Sequence, residues 1–156
     1  MTIALRSAVL GGVDGVITSF AIVAASDAGG LGTRTVTIVG FASLFGDAFS
    51  MAISEFLAVR TDSTLNPDRR LYPVISGINC FLAFVSCGLV PILTYIMTAS
   101  LLSCASFSVT ALMLLGAARA GVSSTPLLAS LLETAILGAA AGGIAYGVGM
   151  LAHSLA

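Results

Sequence analysis

From Leu71 to Ala118 the chain runs for 48 residues without a single Asp, Glu, Lys, Arg or His. One bilayer crossing needs only about 20 apolar residues. The run must therefore cross twice, with a tight turn near Ala99 and Ser100. The rest of the chain agrees: 58% of its residues are hydrophobic and 8% charged, against roughly 25% charged in a soluble domain. Too few polar side chains exist to cover a water-facing surface, and a lipid-facing surface needs none. Mean hydropathy is +1.10.

The same reasoning divides the whole chain. Helix one is expected at about 8–26, ending before the turn Asp27–Ala28–Gly29–Gly30. Helix two is expected at 35–59, helix three at 72–97 with Pro91 inside it, and helix four at 100–118. Helix five is expected at 126–152, with Thr125 as N-cap and Pro126 as first helical residue. Arg60 to Arg70 holds Asn66, Pro67 and five charged residues, and reads as a short aqueous loop. Arg6 before an apolar stretch faintly resembles a signal peptide, but Asp14 interrupts that stretch, so the segment is read as a retained helix. The expected fold is an all-α integral membrane protein of five transmembrane helices, one transmembrane domain over residues 1–156. With the N-terminus cytosolic, Arg6, Arg60, Arg69, Arg70 and Arg119 lie inside and only Arg34 outside, as the positive-inside rule requires. The C-terminus and His153 then lie on the opposite side, His153 as a solvated tail residue.

Several function classes drop out. All six basic residues are arginines and the net charge is −1, so no basic stripe for nucleic acid exists. There is no His cluster, nucleophile elbow or phosphate loop, which argues against an enzyme. Cys80, Cys87 and Cys104 form no C-x-x-C pair and read as small apolar filler. Close-packing G-x-x-x-G spacings occur at Gly11/Gly15, Gly138/Gly142 and Gly143/Gly147; the first brackets Asp14.

Four acids fall inside the expected spans: Asp14, Asp47, Glu55 and Glu133. A charged acid at a helix centre costs about 2.5–3.5 kcal/mol on the lenient insertion scale, and no arginine lies deep in any span. Such acids must be protonated, face water or bind a cation. At a rise of 1.5 Å per residue, Asp14 lies roughly 12 Å past Arg6 and Met51 roughly 13 Å before Arg60, which puts them at one level. Ser43, Asp47, Met51 and Glu55 follow i, i+4 spacing. Carboxylate oxygens above and below a thioether suit a divalent ion, and the sulfur tilts the choice towards transition metals. Glu133 is a candidate proton or pathway residue; simpler readings exist, with Met51 as core filler, Asp47 bonded to a serine, Glu55 snorkelling to Arg60, and Glu133 partly wet near the cytosolic end of helix five. Asp14, among apolar neighbours and flanked by glycine, is hardest to dismiss.

Two motifs carry a resemblance. LRSAVLGGVDGVITSFAIVAA, Leu5 to Ala25, resembles the first helix of the vacuolar iron transporter family, which includes the nodulin-21-like proteins. GDAFSMAISEFLAVRTDS, Gly46 to Ser63, resembles the same family's Ser-Met…Glu signature in helix two. The resemblance implies export of Fe²⁺ or related divalent metals such as Mn²⁺ from the cytosol in exchange for protons. It also implies a homodimer through helix one, with the metal-binding Asp, Met and Glu falling on Asp14, Met51 and Glu55. No permanently bound cofactor is implied; the metal and protons are cargo, and the lipid bilayer is the other partner. Export from the cytosol fits a plasma (inner) or a vacuolar-type membrane. The chain departs from the family at Ser43, where Asn or Glu is frequent, at Phe56 for Tyr and at Ser54 for Gly. The Arg60–Arg70 loop, with only Asp62 and Asp68 as acids, stands where larger members carry a glutamate-rich cytosolic metal-binding domain. The competing expectation is a non-transporting structural or regulatory membrane subunit whose polar residues only hold helices together.

Overall fold

A computed structural model describes residues 3–65, 71–122 and 125–155. Among these residues there are only helices: α1 (Ile3–Ala28), α2 (Thr33–Leu65), α3 (Pro73–Thr98), α4 (Leu101–Val122) and α5 (Leu127–Leu155). All five are long and apolar enough to cross a membrane. A helix satisfies its backbone groups internally, which hydrocarbon demands of any lipid-exposed span. The protein is an all-α integral membrane protein, and its odd number of spans puts the two ends on opposite sides.

The turns follow local chemistry. Between α1 and α2, the Gly30 N–H donates to the Asp27 carbonyl and the Leu31 N–H to the Ser26 carbonyl. Gly30 takes a positive φ of 70°, a conformation glycine adopts without steric cost. Asp27 thus belongs to the last turn of α1 rather than to the loop. Ala99 caps α3 in the left-handed region, with its N–H donated to the Tyr95 carbonyl. The next helix opens at once, so α3 and α4 form a tight hairpin, and α3 runs through Pro91 as one helix. The Pro126 carbonyl accepts from the Ser130 N–H, so α5 starts at Leu127, one residue later than the proline suggests.

One expectation is overturned. The sequence from Arg60 reads as loop, yet α2 continues to Leu65. Nothing breaks a helix before Pro67, and the polar side chains bond to their own helix: Thr61 Oγ1 donates to the Leu57 carbonyl and Ser63 Oγ to the Arg60 carbonyl. At 33 residues α2 is about 50 Å long, against about 30 Å of hydrocarbon, so it projects from the membrane at its polar Arg60–Leu65 end. Pro67, Asp68, Arg69 and Arg70 lie outside the described residues.

The helix α1 is central and touches all four others, while α2 rests on α1 and α3, and α5 on α1 and α4. Glycines set these approaches. A Cβ on Gly11 would lie 2.3 Å from the Cys80 carbonyl oxygen, and one on Gly15 2.4 Å from that of Phe84. Backbone therefore meets backbone along α1 and α3. On α5, Gly149 abuts the Ala25 carbonyl, and Gly138 and Gly142 receive Leu112 and Phe20. Ser130 Oγ donates to the Gly116 carbonyl at 2.8 Å, stitching α4 to α5. The inner cluster comprises Val23, Val36, Leu44, Ala48, Phe84, Ile92, Tyr95 and Cys104. The outside carries Ile38, Phe49, Leu102, Leu114 and Ile144, all exposed, as lipid contact requires. The odd cysteine count has a plain explanation: all three cysteines are free, with Cys80 and Cys104 buried.

Candidate metal-translocation site

Asp14 sits midway along α1, half-buried, to one side of the Gly11/Gly15 contact with α3. Across the seam lies α2, which brings Ser43, Asp47 and Met51 half-buried and Glu55 buried. The Asp14 and Asp47 carboxylates lie within electrostatic range of each other. Both Asp14 and Glu55 also act electrostatically on Cys80 of α3, so three helices converge on this acidic seam.

The register of the seam is fixed by a hydrogen bond. Ser7 Oγ of α1 donates to Glu55 Oε1 of α2 at 2.6 Å. Counting equal steps along the two antiparallel helices from this bond brings Asp14 level with Ala48, beside Asp47. Met51 comes level with Gly11, three residues or about 4.5 Å nearer the arginine-bearing end. Arg6 and Arg60 as equal depth marks would put Asp14 and Met51 at one height. They are not equal, because α2 projects further than α1. Asp47, rather than Met51, is therefore the α2 side chain nearest the level of Asp14, and Met51 packs against the inner apolar cluster. Ser43 is one further turn from Glu55 along α2.

Two of the simpler readings are now decided. Glu55 does not snorkel to Arg60: it is 5% exposed, bonded to Ser7, while Arg60 is exposed. Glu133 is not an isolated acid. Arg119 Nη1 of α4 lies 2.9 Å from Glu133 Oε2 of α5, with both side chains substantially exposed. Glu133 is thus the partly wet acid of the simpler reading, and it lies on α5, a helix that does not touch α2. Its place is the α4–α5 hairpin, away from the α1–α2 seam.

Two polar contacts escaped the sequence reading. Ser7 is seven residues, nearly two whole turns, before Asp14 and so shares its face; that spacing was the available signal. At the opposite end Tyr95 Oη donates to Asp27 Oδ1 at 2.5 Å, joining α3 to α1 across a separation that no local pattern announces. His153 is exposed, with its ring beside the Gly30 turn, where it lines a pocket of about 380 Å³ with Ser26, Gly29 and Leu31. Among the described residues of this one chain, no group of three or more His, Cys, Asp or Glu side chains gathers closely enough to hold an ion.

The acidic, glycine-flanked α1 and its partner α2 are also where comparison with known proteins becomes informative. The model of the VIT family matches residues 5–71 and again residues 62–150. The chain belongs to the VIT family. The first match takes in α1 and α2 with both signature motifs, and the second takes in α3, α4 and most of α5. VIT-family proteins are membrane metal-ion transporters rather than enzymes, and the five-helix membrane architecture agrees with that class. No curated protein matches the chain.

Proposed function

We propose that this VIT-family chain exports Fe²⁺ or Mn²⁺ from the cytosol in exchange for protons, binding the ion at Asp14 and Asp47. The observation that carries the proposal is the level placement of these two carboxylates inside the spans, set by the Ser7–Glu55 hydrogen bond, with no arginine among the residues of either helix between Arg6 and Arg60 except Arg34 at the far end of α2. Like charges at close range in a poorly solvated site favour either a proton or a cation between them. Metal and proton then compete for the same oxygens, which couples their opposite movements. The arginine asymmetry makes the Glu55 end of the seam cytosolic. An ion enters past Glu55, passes the Met51 thioether, and reaches Asp14 and Asp47, with the Ser43 hydroxyl one turn beyond. The thioether favours transition metals over Mg²⁺ and Ca²⁺.

A second copy of the chain completes the site in this reading. Among the described residues, one chain gathers no three His, Cys, Asp or Glu side chains closely enough to hold an ion. The glycine face of α1 is already filled by α3, so a partner meets the flank of α1 that carries Leu10, exposed, and Asp14, half-buried. The host membrane is a plasma or a vacuolar-type membrane, both of which bound the cytosol.

The test is metal-driven proton flux in proteoliposomes. Wild-type protein is expected to move protons against Fe²⁺ or Mn²⁺, and Asp14→Asn to abolish both fluxes. Undiminished metal transport by Asp14→Asn refutes the assignment.

A further inference from the structure

The cytosolic end of the α1–α2 seam holds a contact that packing alone does not require. Ser7 is 0% exposed and Glu55 5% exposed, and the 2.6 Å hydrogen bond between them links helices whose sequence positions are 48 apart. A glutamate this close to the membrane surface has a long enough stem to carry its carboxylate out to water. Two exposed guanidinium groups, Arg6 on α1 and Arg60 on α2, stand near the same end to attract it. Instead the carboxylate is turned inward. A buried carboxylate needs a hydrogen-bond donor to offset its lost hydration, and Ser7 Oγ is that donor. Ser7 shares the face of Asp14 and lies about 10 Å from it along α1, so Glu55 is held on the line from the cytosolic surface to the Asp14–Asp47 pair.

We infer that Ser7 is a positioning residue for metal capture: its hydroxyl holds Glu55 turned into the α1–α2 seam as the first carboxylate that an incoming divalent ion meets. The inference rests on the transport reading above. It separates capture from translocation. Without the hydroxyl, Glu55 swings out to the arginines and the ion loses its first ligand, while Asp14 and Asp47 remain intact. Ser7→Ala thus weakens apparent affinity and leaves maximal rate in place.

The experiment is Mn²⁺ transport by the full chain in proteoliposomes over a range of Mn²⁺ concentrations. Ser7→Ala is expected to raise KM roughly tenfold, the scale on which residues that orient metal ligands act, with Vmax changed by less than about twofold. Ser7→Thr keeps the hydroxyl and is expected to restore KM. Glu55→Gln is expected to raise KM alone, and Ser7→Ala in that background to add nothing further, because the two residues act as one unit. An unchanged KM for Ser7→Ala overturns the inference, as does a fall in Vmax shared by Ser7→Ala and Ser7→Thr at constant KM, which marks a packing role. Asp14→Asn in the same series keeps the two levels apart. If it abolishes transport while Ser7→Ala behaves as wild type, the positioning role fails and the transport reading stands. If Asp14→Asn transports as wild type, the transport reading fails and the inference with it.

Discussion

In the proposed reading, Asp14 and Asp47 acquire their function from their surroundings. Either acid alone in a span costs a few kcal/mol; placed together across α1 and α2 they share that cost only with a cation or proton between them. Asp47→Asn removes one charge while leaving shape and hydrogen-bonding capacity nearly unchanged. It is expected to raise the KM for Mn²⁺ by at least about tenfold, equivalent to ~1.4 kcal/mol of binding, in proteoliposome uptake. Met51 carries a different share. Met51→Leu is close to volume-conserving and should cost less than about 1.5 kcal/mol of stability, so the apolar cluster it packs against survives. Its expected effect is on selectivity: Mn²⁺ uptake by Met51→Leu becomes more sensitive to competing Mg²⁺, because the soft donor that disfavours hard ions is gone. Equal Mg²⁺ inhibition of both proteins would show that the sulfur serves packing only. The acids themselves were legible in the sequence because an apolar background makes any charge conspicuous. Their partners were not. Ser7 looks like one more small helix residue, and its bond to Glu55 depends on a register that a string of letters does not contain.

At the scale of helices, the positions that decide packing are glycines, and their neighbours separate those that matter from those that do not. A methyl group on Gly11 or Gly15 would collide with the backbone of α3, which cannot rotate away as a side chain can. Gly11→Ala and Gly15→Ala are each expected to lose about 1–3 kcal/mol through overpacking, seen as an earlier unfolding transition in detergent. Gly143→Ala and Gly147→Ala meet nothing within 4 Å. They should be neutral or stabilising by up to about 1 kcal/mol, since alanine is the better helix former. The three G-x-x-x-G spacings are indistinguishable in sequence, so this division had to come from the structure. Helix existence was plain from the charge-free stretches, whereas the end of α2 was not. The polar residues Thr61 to Thr64 signal water, and water is compatible with helix as well as with loop. The Arg119–Glu133 pair was accessible in principle, because both residues lie within two turns of the α4–α5 connection, on opposite sides of one hairpin.

For the molecule as a whole, the account joins a bundle organised around α1 to an acidic seam between α1 and α2, in a chain whose family transports metal ions across membranes. A ligand that binds only the folded state stabilises it by about 2.7 kcal/mol at a hundred times its Kd. Mn²⁺ is therefore expected to delay thermal unfolding of the detergent-purified protein and to leave the Asp14→Asn, Asp47→Asn double variant unmoved. A subunit whose acids only hold helices together would show no such metal dependence. The most direct measurement is anomalous scattering from crystals of the full chain soaked in Mn²⁺ or Fe²⁺. The account predicts a metal peak within coordination distance of the Asp14 and Asp47 carboxylates, lost in Asp14→Asn. A peak confined to Asp62 and other exposed acids, with the α1–α2 seam empty, would contradict it.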